Sequence, residues 1–242
     1  MKLKIANKKD FISNVLSPIS NLNDKAILKT DKFKLTSLTA SSDATLILYL
    51  ETNVDCDGDK SINIPDVKKL VRVLECVDKD GLNLDVSSNN IKYSGDNFKF
   101  TYHLLEDGIV KVPSINIQKV NGLKFDTTFK VQESKLSALF KGSTFTTETN
   151  KLYIYFEDNK IFGELGDRNR QNSDAFLCVL SETFEGSPLS KVIPINFETF
   201  RLINFNKCNE VEFSINLSLG VLKIVLVKDQ TTLTYIVSAL IN

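Results

Sequence analysis

Ile62-Asn-Ile-Pro-Asp-Val-Lys-Lys-Leu-Val-Arg-Val-Leu-Glu-Cys-Val77 is the stretch around which the chain is organised. Val67, Leu70, Val71, Leu74 and Val77 recur at three- and four-residue spacing, and Lys68, Lys69 and Arg72 fall on the other side. That pattern predicts an amphipathic helix with a basic face, with Pro65 suited to its first turn. The Ile-Asn pair returns at Ile195, where Asn196 to Lys207 predicts a second such helix carrying Arg201 and Lys207.

Outward from these helices the chain repeats an order. Lys2 to Ala6 predicts a strand, and Asn7 caps a helix that turns Phe11, Ile12, Val15, Leu16, Ile19 and Leu22 inward. Lys8, Lys9, Ser13, Asn14 and Ser17 are left on its polar side, and Pro18 is expected to kink or end it early. Strands follow at Ala26 to Thr30, Phe33 to Thr39 and Ala44 to Glu51, then a polar loop from Asn53 to Ser61. Beyond the basic helix, strands are predicted at Leu82 to Val86, Ile91 to Ser94 and Asn97 to Leu104. Glu106 to Asp126, with Gly108, Pro113 and Gly122, reads as an extended connector. The order then restarts: a strand to Val131, a helix with Leu136, Leu139 and Phe140 inward, three strands, the second basic helix and three more strands. The expectation is an α+β chain of two similar domains, 1–107 and 127–242, joined by a connector at 108–126.

Composition bounds the function. Of 242 residues 42% are hydrophobic and 16 are Phe, enough for sizeable cores. Thirty basic and thirty acidic residues cancel, so contact with nucleic acid must come from uneven placement of charge. Cys56, Cys76, Cys178 and Cys208 are too scattered for a zinc site or a disulfide framework, which predicts reduced thiols and a cytoplasmic setting. Neither a signal peptide nor a membrane span is predicted. A single histidine, His103, and the lack of a nucleophile elbow, phosphate loop or dinucleotide turn argue against an enzyme, and no cofactor is expected. One stretch competes. Asp55-Cys-Asp-Gly-Asp-Lys-Ser-Ile-Asn-Ile-Pro-Asp66 spaces oxygen side chains like an EF-hand calcium loop. Lys60 stands where that loop needs glycine, Asp66 stands for its bidentate glutamate, and no helix precedes it, so no metal site is assigned.

The opening Met-Lys-Leu strand and helix, the strand pair Phe33-Lys-Leu-Thr-Ser-Leu38 and Ala44-Thr-Leu-Ile-Leu48, the helix after Ile62-Asn-Ile, the connector and the closing Leu233-Thr-Tyr-Ile-Val237 together resemble the DNA sliding clamps. These are PCNA-like processivity factors, and the style is closest to the clamps of tailed bacteriophages. The resemblance implies a clamp fold with two helices per domain packed on antiparallel sheets. It further implies a homotrimer closing into a pseudo-six-fold ring that encircles double-stranded DNA and tethers DNA polymerase and the clamp loader, in the host cytoplasm if viral. Carried onto this chain, it implies that Lys8, Lys9, Lys68, Lys69, Arg72, Lys141, Arg201 and Lys207 face DNA, with Lys135 less firmly placed. It also implies a partner-peptide pocket at Leu38, Leu46, Val110, Val112, Ile115, Val221, Tyr235 and Val237. Subunits would join edge to edge through Phe98, Phe100 and Tyr102 on one strand and Ala175, Leu177 and Val179 on another. Each cation is equally compatible with a solvated surface helix, and the apolar connector residues with simple pinning to the core. A monomeric polymerase accessory subunit of the same fold and a calcium-binding module stay open.

Overall fold

The computed structural model describes residues 1–240 except 171, 207 and 209. Contacts divide it into a first unit, Met1–Ile115 with Lys228–Leu233, and a second, Asn116–Val227 with the residues from Thr234 onward. The division therefore falls inside the expected connector, and a short late segment belongs with the first unit.

The first unit begins with β1 (Lys2–Ile5) and a helical run made of α1 (Lys8–Phe11), a π turn (Ile12–Leu16) and α2 (Ser17–Leu22). Asn7 caps it by accepting from the Asp10 amide at 3.2 Å. Pro18 neither ends nor breaks the run. The wider π turn, in which the Ser17 amide reaches the Ile12 carbonyl, takes up the register change that a residue without N–H imposes. Then come β2 (Ala26–Asp31), β3 (Lys34–Ala40), β4 (Leu46–Asn53), β5 (Asp55–Cys56), β6 (Lys60–Ile64), α3 (Val67–Glu75), β7 (Leu82–Val86), β8 (Asn90–Ser94) and β9 (Lys99–His103). They form a sheet in the order β5-β1-β7-β8-β9 and a ladder in the order β4-β3-β2-β6.

The second unit opens with α4 (Ile117–Asn121), so the connector is not wholly extended. It continues with β10 (Thr127–Gln132), α5 (Glu133–Gly142), β11 (Lys151–Glu157), β12 (Lys160–Leu165), β13 (Phe176–Ser181), β14 (Glu185–Gly186), β15 (Ile193–Asn196), α6 (Phe197–Arg201), β16 (Glu210–Asn216), β17 (Val221–Lys228) and β18 (Thr231–Ser238). Its strands order as β14-β10-β16-β17-β18 and β13-β12-β11-β15. Strand for strand this repeats the first unit, and it includes β6 and β15, which the periodicity does not predict as strands. Gly186 is required where β14 meets β10, because its φ of +90° is left-handed and a Cβ there would collide with the Asp126 carbonyl.

The start of α3 is corrected by β6. Ile62 and Ile64 are fully buried because they pair with Leu28 and Ala26 of β2. Pro65 precedes the cap, and Asp66 is the cap, its carboxylate accepting from the Lys69 amide at 2.8 Å. Tyr102 holds that cap from both sides. Its hydroxyl donates to the Asp66 carbonyl at 2.6 Å and accepts from the Asp66 amide at 3.1 Å. Burial pushes the phenol up to about 12, so it remains a donor across the neutral range. Asp66→Ala and Tyr102→Phe are each expected to lower the urea midpoint by an amount equivalent to about 1 kcal/mol without changing the slope.

In the second unit α6 stops at Arg201, shorter than the helix the periodicity predicts. The Leu202 and Ile203 amides close three-residue turns onto Thr199 and Phe200, and Ile203 and Phe205 drop into the core. Phe205 packs on Phe200 at 5.1 Å between ring centroids, and Phe140, Phe197 and Phe213 complete that cluster. Aromatic burial outweighs continuation of a short helix there.

Candidate nucleic-acid interface

Each unit sets its two helical segments side by side. In the first, the Lys8 amide donates to the Asp80 carbonyl at 2.7 Å and the Lys8 ammonium donates to the Val77 carbonyl, tying the start of the N-terminal run to the end of α3. At the other end the Val67 amide donates to the Asp24 carbonyl at 2.7 Å. The two segments are therefore antiparallel neighbours. Val67, Leu70 and Leu74 face inward, and Lys68, Lys69 and Arg72 are exposed.

The cations on this surface are not equivalent. Lys8 is only 8% exposed, so it is a fastener between helices and not the free cation the pattern implied. Lys68 pairs with Asp24 at 3.0 Å, an exposed pair worth about 0–1 kcal/mol. Among the described residues Lys69 and Arg72 form no ion pair, which leaves them the most available charges of α3. Lys9 is exposed as well, beside the acidic Asp10 of the same turn.

In the second unit Lys141 and Lys135 are exposed on α5. Arg201 is largely engaged: it donates to the Ser143 hydroxyl at 2.7 Å, lies 3.5 Å from the Glu198 carboxylate and covers the Phe197 ring at 4.8 Å. That contact fixes α6 against α5, and it reduces what Arg201 can offer to a phosphate. Lys207 lies outside the described residues. The surfaces carry Asp10, Glu75, Glu133 and Glu198 as well, so their positive potential is moderate.

The strands singled out as joining edges are sheet edges: β9 ends one order and β13 ends the other. Leu177 of β13 is 51% exposed, and Phe98 and Phe100 are half-buried on one face, Phe100 stacked on Tyr93 at 5.7 Å. Ala175 is exposed and Val179 half-buried. Tyr102 does not belong with them, because its side chain is buried against the α3 cap. Cys178, which alternates with these residues, turns inward, and burial pushes its thiol up to about 11. None of the four cysteines is in a disulfide.

Of the peptide-pocket residues, Leu38 is half-buried whereas Leu46 is fully buried. Side chains alternate along a strand, and the β3–β4 register sets Leu38 opposite Tyr49 and Ala40 opposite Ile47. Ile47 and Tyr49 are therefore the accessible partners of Leu38. Tyr235 and Val237 are likewise wholly buried in β18, although an alternating reading of Thr231 to Leu240 leaves one of its faces open. Val112 is 39% exposed, Ile115 and Val221 are half-buried, and Val110 is buried.

The acidic stretch 55–66 does not converge. Asp55 pairs with Lys4 at 2.8 Å, Asp57 accepts from the Lys2 amide, Asp59 accepts from the Lys32 amide at 3.0 Å, and Asp66 caps α3. Among the described residues no three metal-ligating side chains gather anywhere. Periodicity also missed a clamp in the long loop after β12. Arg168 lies 4.9 Å and 4.6 Å from the Tyr153 and Tyr155 ring centroids and makes paired bonds to Glu164 at 3.2 and 2.5 Å. The two tyrosines at alternate positions of β11 were the available signal.

No protein-family model matches the chain, and no curated protein matches it. Solved structures do. The chain superposes on PCNA of A. fulgidus, in a structure with the C-terminal region of FEN-1 bound, with a TM-score of 0.76 at 12% identity, covering 100% of this chain and 98% of that one. It superposes on the proliferating cellular nuclear antigen of Entamoeba histolytica with a TM-score of 0.73 at 12% identity, covering 99% and 98%. The fold is that of the PCNA clamps, and neither neighbour is a bacteriophage protein. Among the described residues no helix is long and apolar enough to cross a membrane.

Proposed function

We propose that this chain is a DNA sliding clamp, a processivity factor that encircles duplex DNA and tethers replication proteins to it. The observation that carries the reading is the pair Lys69 and Arg72, exposed and, among the described residues, without a carboxylate partner on a helix whose other face is buried, in a fold that matches PCNA over the full chain. A clamp must hold DNA without reading it. Flexible cations that exchange between phosphates do this, and side chains placed for base edges do not. Lys9, Lys68 and Lys141 would join them, with Arg201 secondary and Lys8 removed.

Three copies would close the ring by pairing β9 of one with β13 of the next, a head-to-tail contact between two edge strands. A polymerase tail would dock on the first unit along Leu38, Ile47 and Tyr49 with Val112 and Ile115 of the connector. In the A. fulgidus structural neighbour, PCNA has the C-terminal region of FEN-1 bound to it. The deciding experiment pairs sedimentation at micromolar concentration with retention on DNA. A mass of three times 27.2 kDa and retention on circular but not linear duplex is the expected result. A monomer that binds both forms equally would replace the ring with an accessory subunit.

A further inference from the structure

A cavity of about 780 Å³ opens in the first unit, and every residue lining it belongs to that unit. Its size is that of sites that enclose a ligand, not of a packing defect. The floor is apolar, made by Ile5, Phe11, Val15 and Leu82, all buried. Asn14, 3% exposed, reaches across to the Asp229 carboxylate at 3.3 Å. Around the mouth stand Asp10, Asp229 and the Lys4–Asp55 pair. Lys4 and Asp55 neutralise each other, so Asp10 and Asp229 set the sign of the opening. Phe33 lies at the rim with 71% of its surface exposed, on the turn where Lys32 takes a φ of 50°. An aromatic this large on a hairpin tip loses apolar contact unless something covers it.

An apolar floor, two carboxylates that form no ion pair among the described residues and an exposed aromatic face select one chemistry. Hydrocarbon stems fit the floor, a guanidinium fits the carboxylates, and its plane stacks on the phenyl ring. We infer that this cavity binds an arginine-bearing, apolar segment of a partner protein, at a place separate from the basic helix face and from the β3–β4 surface. An anionic ligand is disfavoured by the same two carboxylates.

The test uses the full chain and a labelled peptide, acetyl-Gly-Leu-Arg-Phe-Arg-Gly-amide, with its Arg-to-Gln counterpart as control. Saturable binding below about 1 mM is expected, at least about tenfold weaker for the control. Methyl resonances of Ile5, Val15 and Leu82 should shift. Asp10→Asn with Asp229→Asn should weaken binding about tenfold. Asn keeps the left-handed turn that Asp229 occupies at a φ of 52°, so that variant tests charge and not folding. Phe33→Ala, at an exposed position, should weaken it independently. No saturation by about 1 mM, equal binding of the control, or unchanged affinity in both variants would overturn the site. Phe33→Ala should leave retention on circular DNA unchanged, and Asp10→Asn, which removes an acidic group beside Lys9, should not lower it, which separates failure here from failure of the clamp reading.

Discussion

Loading onto nicked circular DNA is expected to fall by about tenfold or more when Lys69 and Arg72 are both replaced by glutamate, whereas Lys68→Glu alone should reduce it by less than about threefold. The difference follows from the ion pairs. Lys68 already shares its charge with Asp24, so it offers phosphate less than an unpaired cation does, and its replacement removes little available charge. Lys69 and Arg72 have no such partner among the described residues, and reversing them turns α3 from attractive to repulsive toward phosphate. Arg72 sits in the last turn, where a cation also complements the carbonyl end of the helix, so helix stability should drop slightly as well, by about 0.3–1 kcal/mol. Loading measured against NaCl concentration should show a shallower slope in the double variant, because fewer counterions are released per binding event. Assembly should be untouched, since both side chains lie on α3 and not on β9 or β13. Unchanged loading with an unchanged salt slope would remove α3 from the DNA-facing surface.

That the exposed side of α3 is legible in the chain reflects how helices write themselves into sequence. Val67, Leu70 and Leu74 recur with the helical period, so the side that carries Lys68, Lys69 and Arg72 is determined without any tertiary information. The start of the same helix was less legible, because Ile62-Asn-Ile fits both a helical stripe and a buried strand. Only pairing with Ala26 to Leu28 decides between them. Leu46 and Leu38 illustrate the strand version of the problem: an apolar run such as Leu46 to Leu50 does not declare which alternate set points out, and the register with β3 does. Lys8 was misplaced for a different reason. A lysine beside a cap is normally solvated, and its burial depends on a carbonyl at Val77 that no local pattern announces. The recurring Ile-Asn pair does not mark equivalent positions, because Asp66 and not Asn63 is the counterpart of Asn196. Asn63 ties Asp107 and Leu105 to β6, and Asn196 caps α6. The doubled strand order survived because it depends on many alternations at once, while single-residue roles drifted between the two copies.

Leu177→Asp is the second change with a large expected effect. Leu177 is an exposed leucine on the free edge of β13, paired only on its inner side with Glu164 of β12. If that edge continues into β9 of another copy, the leucine becomes buried, and a carboxylate in its place would be desolvated without a partner at a cost of several kcal/mol. The expected outcome is a shift of the sedimenting mass from three times 27.2 kDa to 27.2 kDa at micromolar concentration. Thermal stability of the isolated chain should hardly move, because the substitution is made at an exposed site. Leu177→Ala should give an intermediate mass that rises with concentration, since it removes apolar area but adds no charge. The monomeric variant still carries Lys69 and Arg72, so its weak salt-sensitive binding to duplex should persist while retention on circular DNA is lost. Those two responses separate holding by charge from holding by topology. A trimer that survives Leu177→Asp would place the subunit boundary away from β13, and the exposed leucine would then need another partner.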